Sequence, residues 1–155
     1  MTDSPRTDIW PVRTDRLQIR PMSAPDIDAM WQWRRQPDVN RWLGLAPATI
    51  EAFRERYLDP ERLASMHIVE LLPADDDLAP VPIGDIMIRI GDGWAQLEVA
   101  DQAKGVEAEL GWVLDPDHTG RGYATEAIRA VIDVCFGPLG PVSYTHLRAH
   151  ETRED

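Results

Sequence analysis

A chain of 155 residues, 43% hydrophobic and 28% charged, has room for one domain with its own core and is too apolar for disorder. Its net charge of −11 argues against a nucleic-acid partner, since phosphate contacts need basic patches, and fits a cationic partner such as an amine only weakly. No run reaches the roughly 18 apolar residues of a membrane span, and Met1–Pro5 lacks the basic-then-apolar order of a signal peptide, so the expectation is a cytoplasmic protein with no membrane partner.

In chain order, Leu17-Gln18-Ile19-Arg20 alternates and stops at Pro21, as a short strand does. Ser23-Ala24-Pro25-Asp26 then reads as a helix start that carries Ile27, Met30, Trp31 and Arg34 to Pro37. A second helix opens after Thr49, with Ile50, Phe53 and Tyr57 on one face, and Asp59-Pro60 closes it. Met66 to Leu72 reads as a strand, and Asp75-Asp76-Asp77 with prolines at 73, 80 and 82 as a loop. Ile83 to Ile90 is the next strand, turned by Gly91-Asp92-Gly93, with a polar loop at 101–105 and a further strand from Val106 to Leu114. A glycine-spaced turn leads into a helix with Ile128, Val131, Ile132 and Cys135 at i, i+3, i+4 and i+7, ended by Phe136-Gly137-Pro138. On this pattern Cys135 is a buried structural thiol, and His67 in its strand is also structural. The order β-α-α-β-β-β-α predicts a mixed α/β domain with one main sheet flanked by helices.

Chemistry concentrates at Thr119-Gly120-Arg121-Gly122-Tyr123-Ala124-Thr125-Glu126-Ala127. A strand, a short glycine-rich turn and a helix are the parts of an anion site, because first-turn N–H groups and the positive dipole end both favour phosphate. Gly120 and Gly122 let the backbone approach a ligand, Arg121 adds a positive charge, and Ala124 keeps the first turn small. A plain strand-to-helix turn would also use these glycines. The stretch fits neither the dinucleotide G-x-G-x-x-G, since Thr125 stands at its last position, nor the phosphate-loop G-x-x-x-x-G-K. The four histidines and one cysteine show no metal-ligand spacing, so no metal is expected.

Glu109-Leu110-Gly111-Trp112-Val113-Leu114, a proline-containing gap, and Gly120 to Ala127 together resemble the central block of the GNAT N-acetyltransferase superfamily. The closer similarity is to its ribosomal-protein-acetylating branch, whose opening strand Thr14 to Pro21 also resembles. That resemblance implies a mostly antiparallel GNAT-type sheet and acetyl-CoA as co-substrate. It implies an enzyme passing acetyl to a small-molecule or protein primary amine by direct attack in a ternary complex. The alternative is a non-catalytic GNAT-fold module that binds CoA.

The family's pyrophosphate loop, R/Q-x-x-G-x-G/A, falls on Thr119 to Ala124, where Gly122 and Ala124 match and Thr119 departs from the usual long side chain. The resemblance thus assigns Thr119, Gly120, Arg121, Gly122, Tyr123, Ala124 and Thr125 to the phosphates. It assigns splayed strand backbone at Trp112, Val113 and Leu114 to pantetheine, with the Val113 amide polarising the thioester carbonyl. Relatives carry an acid at Glu109, which makes it the candidate catalytic base, against a solvated or arginine-paired carboxylate. Glu107 is the fallback. His118 is either a phosphate contact or simply exposed, and Trp31, Trp33 and Trp42 are core residues or a wall for the amine.

The expected division is a leader at 1–13, a partial GNAT domain at 14–141 and a non-native tail at 142–155. Val142 to Thr152 resembles a translated transposon-end adapter from sequencing libraries, and the adapter's preceding bases complete a proline codon where Pro141 stands. On that reading the family's fifth strand, later helix and last strands are absent, and with them the residues that serve CoA and the leaving thiolate. A truncated chain is then expected to fold poorly or be inactive, while its full-length parent acetylates an amine.

Overall fold

The computed structural model of the chain describes residues 9–40, 47–91, 107–136 and 143–149. β1 (Val12–Arg13) and β2 (Leu17–Pro21) pair antiparallel, and β3 (Met66–Leu71), β4 (Val81–Gly91) and β5 (Glu107–Leu114) extend the sheet antiparallel in turn. The helices are α1 (Asp26–Arg34), α2 (Pro37–Asn40), α3 (Ile50–Tyr57), α4 (Pro60–Ser65) and α5 (Tyr123–Phe136), with a 3₁₀ turn at Pro116–His118. This is the mixed, mostly antiparallel sheet flanked by helices that the sequence predicts.

The period-two alternation of the strands gives each sheet face its own helices. Leu17, Ile19, Val69, Ile86, Leu110 and Leu114 pack with Ala127, Ile128, Val131 and Cys135 of α5 in one core. Met66, Ile68 and Val113 belong to the other, with Ile27, Met30 and Trp33 of α1 and Phe53 and Tyr57 of α3. Cys135 is fully buried, the place its helical spacing predicts.

Local chemistry sets the helix ends. Thr49 caps α3 by accepting the Ala52 N–H at 3.2 Å. Asp59-Pro60 does end that helix, but it also starts α4. Asp59 accepts the Arg62 N–H at 3.1 Å, and Pro60 takes a first-turn position where no amide donor is needed. At the start of α1 no side chain caps the helix; Asp26 instead fastens the preceding turn, accepting the Ser23 N–H and hydroxyl, each at 2.8 Å, while Arg20 grips the same carboxylate.

One strand lies beyond the expected set. Ser143–Ala149 forms β6, parallel to β5, with Glu107↔Ser143 at one end, Trp112↔Ala149 at the other and a register shift at Ala108/Glu109. The sequence reading expected no strand after α5. The outer edge of β5 presents a row of backbone donors and acceptors that an extended segment can pair with, whatever its origin. Tyr144, Thr145 and Leu147 supply strand-favouring residue types.

Candidate active site

β5 ends at Leu114, the 3₁₀ turn follows, and Gly120 and Gly122 then take φ of +78° and +79°. Those values suit glycine, and no other described residue has positive φ. A Cβ on Gly120 would meet nothing within 4 Å, so backbone geometry rather than crowding asks for glycine there. The first backbone bond into α5 runs from the Glu126 N–H to the Gly122 carbonyl at 3.0 Å. The amides of Tyr123, Ala124 and Thr125 therefore precede any helical acceptor, as at every helix start.

Around this turn the expected residues divide. Arg121 and Thr125 are exposed, and Ala124 borders a small apolar cavity with Trp112, Leu114 and Ala127. The Thr119 hydroxyl donates to the Pro116 carbonyl at 3.0 Å, so its side chain closes the 3₁₀ turn. His118 is half-buried, its Nδ1 lying 3.7 Å from Asp115, whose other carboxylate oxygen accepts the Asp117 N–H. The Tyr123 ring is buried beneath the Arg16 guanidinium, 4.5 Å from the ring centre.

Arg16 and Thr14 reach the turn from the start of β2. The Arg16 side chain donates to the Arg121 carbonyl at 3.0 Å and to the Glu126 carboxylate at 2.7 Å, and its own N–H donates to that carboxylate at 3.0 Å. The Thr14 hydroxyl donates to Glu126 as well. Burial pushes the Glu126 carboxyl up, but the hydrogen bonds from Thr14 and Arg16 outweigh it and hold its pKa below the ordinary glutamate value.

The backbone of β5 corrects one expectation. The Asp115 N–H donates to the Ile83 carbonyl at 2.7 Å, one step beyond the Gly84↔Leu114 pair. Hydrogen-bonded pairs recur every second residue in an antiparallel ladder, so Val113, opposite Asp85, also turns its N–H and C=O toward β4. Its carbonyl lies 2.6 Å from where a Gly84 Cβ would sit. The Val113 amide thus faces β4, and its side chain is buried against α1 and α3. Trp112 and Leu114 are the residues whose backbone groups point to the opposite edge. The ladder with β6 stops at Trp112, leaving Leu114 past its end.

Glu109 lies on the α1 side of β5, half-buried, with Arg89 of β4 donating to its carboxylate at 3.3 Å. Glu107 opens β5 opposite Gly91, and its side chain lies outside the described residues. Trp33 is buried and its indole N–H donates to Asp85 at 2.7 Å. Trp31 is half-buried, its ring 4.9 Å from Phe53, and Trp42 lies outside the described residues.

Two networks were not anticipated. The Arg16–Glu126 contact spans 110 residues, and only an unpaired arginine and acid in two quoted motifs hinted at it. Beneath α1, fully buried Asp85 accepts from Arg34 at 2.6 Å and 3.2 Å, and Arg34 also donates to the Tyr57 hydroxyl at 3.0 Å. Burial opposes the Arg34 charge, but Asp85 and Tyr57 outweigh it and raise the pKa. Among the described residues no group of three or more His, Cys, Asp or Glu side chains could hold a metal ion, and no helix is long and apolar enough to cross a membrane.

The GNAT acetyltransferase domain model matches residues 16–152, and the chain belongs to that family. It is 26% identical over 132 residues to the uncharacterized N-acetyltransferase p20 of Bacillus licheniformis, an alignment covering 81% of this chain and 66% of that protein. The chain therefore spans just under two thirds of this relative. Its fold is similar to a GNAT-family acetyltransferase from Bacillus anthracis (TM-score 0.62, 22% identity, 85% of this chain and 69% of that one). It is also similar to AAC(6')-Ib solved with paromomycin and acetyl-CoA (TM-score 0.58, 24% identity, 81% and 70%).

Proposed function

We propose that this chain carries the acetyl-CoA half of an N-acetyltransferase site, and that the whole protein moves acetyl from acetyl-CoA to a primary amine in a ternary complex. The observation that carries the reading is the turn at Gly120 and Gly122, whose positive φ values deliver successive amides to one helix start beside the outward edge of β5. Pyrophosphate meets N–H donors and the positive helix end there, with the Arg121 charge alongside. Thr119 contributes through its backbone alone, since its hydroxyl is occupied. Leu114, past the end of the β6 ladder, offers its outward backbone groups to pantetheine, and the direction of its amide makes it a better donor to the thioester carbonyl than that of Val113.

In the step itself a neutral amine nitrogen attacks the thioester carbonyl carbon. The C–N bond forms, the C–S bond breaks, the amine gives up a proton and CoA leaves as a thiolate that is then protonated. Glu109 takes the proton, directly or through water. Its side chain stands on the α1 side of the sheet, where an acceptor would approach, and Arg89 donates to its carboxylate and orients it. AAC(6')-Ib, solved with an aminoglycoside, supports an amine acceptor.

The reading of 142–155 as an adapter-derived tail is a second proposal. On it, β6 stands where the gene's own next strand belongs, so turnover is measured on protein carrying the gene's own continuation. There, Glu109→Gln lowers kcat with an amine panel by about 100-fold or more and leaves CoA affinity within about twofold. Unchanged thiol release in that variant removes Glu109 as the base.

A further inference from the structure

Arg16 makes contacts that a loop support needs and a simple surface ion pair does not. Its guanidinium reaches the Arg121 carbonyl inside the glycine turn, the Glu126 carboxylate in the first turn of α5, and the face of Tyr123 between them. A Cβ on Gly122 would lie 3.5 Å from its Nη2, so the turn runs directly along the guanidinium.

The peptide joining Arg121 to Gly122 is planar and trans, so its N–H points opposite to its C=O. Fastening that carbonyl to Arg16 fixes the Gly122 N–H in the reverse direction, away from the guanidinium. Glycine at φ +79° has little steric resistance to rotation of that peptide, so the anchor must come from outside the turn. The Glu126 carboxylate is the second issue, because a negative charge in the first helical turn repels phosphate. Thr14, the Arg16 N–H and the Arg16 side chain together bind it, which turns its charge into a brace for the arginine.

We propose that Arg16, braced by Glu126 and Thr14, is a positioning residue that sets the amide direction of the phosphate turn without touching the ligand. The proposal rests on the acetyl-CoA reading. A positioning role acts only on the phosphate-dependent part of binding, which separates it from general support of the fold.

The test titrates the 155-residue chain and its Arg16→Gln and Arg16→Lys variants with CoA, inorganic pyrophosphate and pantetheine, which lacks the pyrophosphate. The expected result is a loss of about tenfold in CoA and pyrophosphate affinity for Arg16→Gln, with pantetheine unchanged. Arg16→Lys keeps the charge but cannot bridge the carbonyl and the carboxylate together, so it loses most of the same affinity. Full affinity in Arg16→Lys means the residue acts as a point charge on the phosphates, and the proposal fails. Equal losses for CoA and pantetheine mean general support of the fold, and it fails again. A parent chain that is folded by circular dichroism and binds neither CoA nor pyrophosphate overturns the acetyl-CoA reading itself, and this inference with it.

Discussion

His67 lies in β3 with its ring 4.5 Å from that of Trp10 and only 6% of its surface exposed. Burial disfavours its charged form and, against the pull of backbone groups on Ile86 and Ser65, brings the pKa from 6.5 down to about 4. The folded chain thus keeps His67 neutral while the unfolded chain protonates it at about 6.5. Between those values the unfolded state binds the extra proton, so stability falls as pH drops from about 6.5 to about 4 and then levels, by a total of about 3 kcal/mol. Urea titrations across that range should show the slope in the parent and a flatter profile in His67→Phe; parallel profiles contradict the account. The sequence suggested a structural histidine because His67 interrupts an apolar strand. It gave no sign of Asp85 and Arg34, since an acid alternating in a strand reads as solvated until α1 covers it.

Among the elements, β5 decides most of the candidate site, and its alternation depends on pairing with β4. Strand and turn were legible, because apolar runs, Asp115-Pro116 and the two glycines are local signals. Which edge each amide faces depends on pairing with β4, which no local pattern states, and so the sequence points to Val113 although the register turns that amide toward β4. The missed α4 has a similar cause: Asp59-Pro60 serves as stop and start at once, and periodicity cannot separate the two uses. Gly84 was not singled out either, though a Cβ there would lie 2.6 Å from the Val113 carbonyl and 3.0 Å from Leu114 Cδ1. The closer atom is backbone and cannot step aside without moving β5. Gly84→Ala should therefore cost about 1–3 kcal/mol of stability, read by thermal unfolding. An unchanged melting temperature would show that the β4–β5 spacing yields freely.

At the scale of the molecule, two helical layers share one sheet and divide the work. α5 and its core hold the glycine turn in place, while α1 and α3 cover the face that carries Glu109 and Asp85. The Thr14–Arg16–Glu126 contacts tie the first part of the chain to the last described helix, so the turn is built by residues from both ends of the fold. Such long-range pairing is invisible to spacing rules. Backbone amide spectra of the chain titrated with CoA test most directly whether the β5–α5 turn binds the phosphates. Saturable shifts centred on Gly120 to Thr125, with Leu114 following, are the expected result. No saturable shifts, or shifts confined to the groove beside Val12, Arg13 and Arg129, would contradict it.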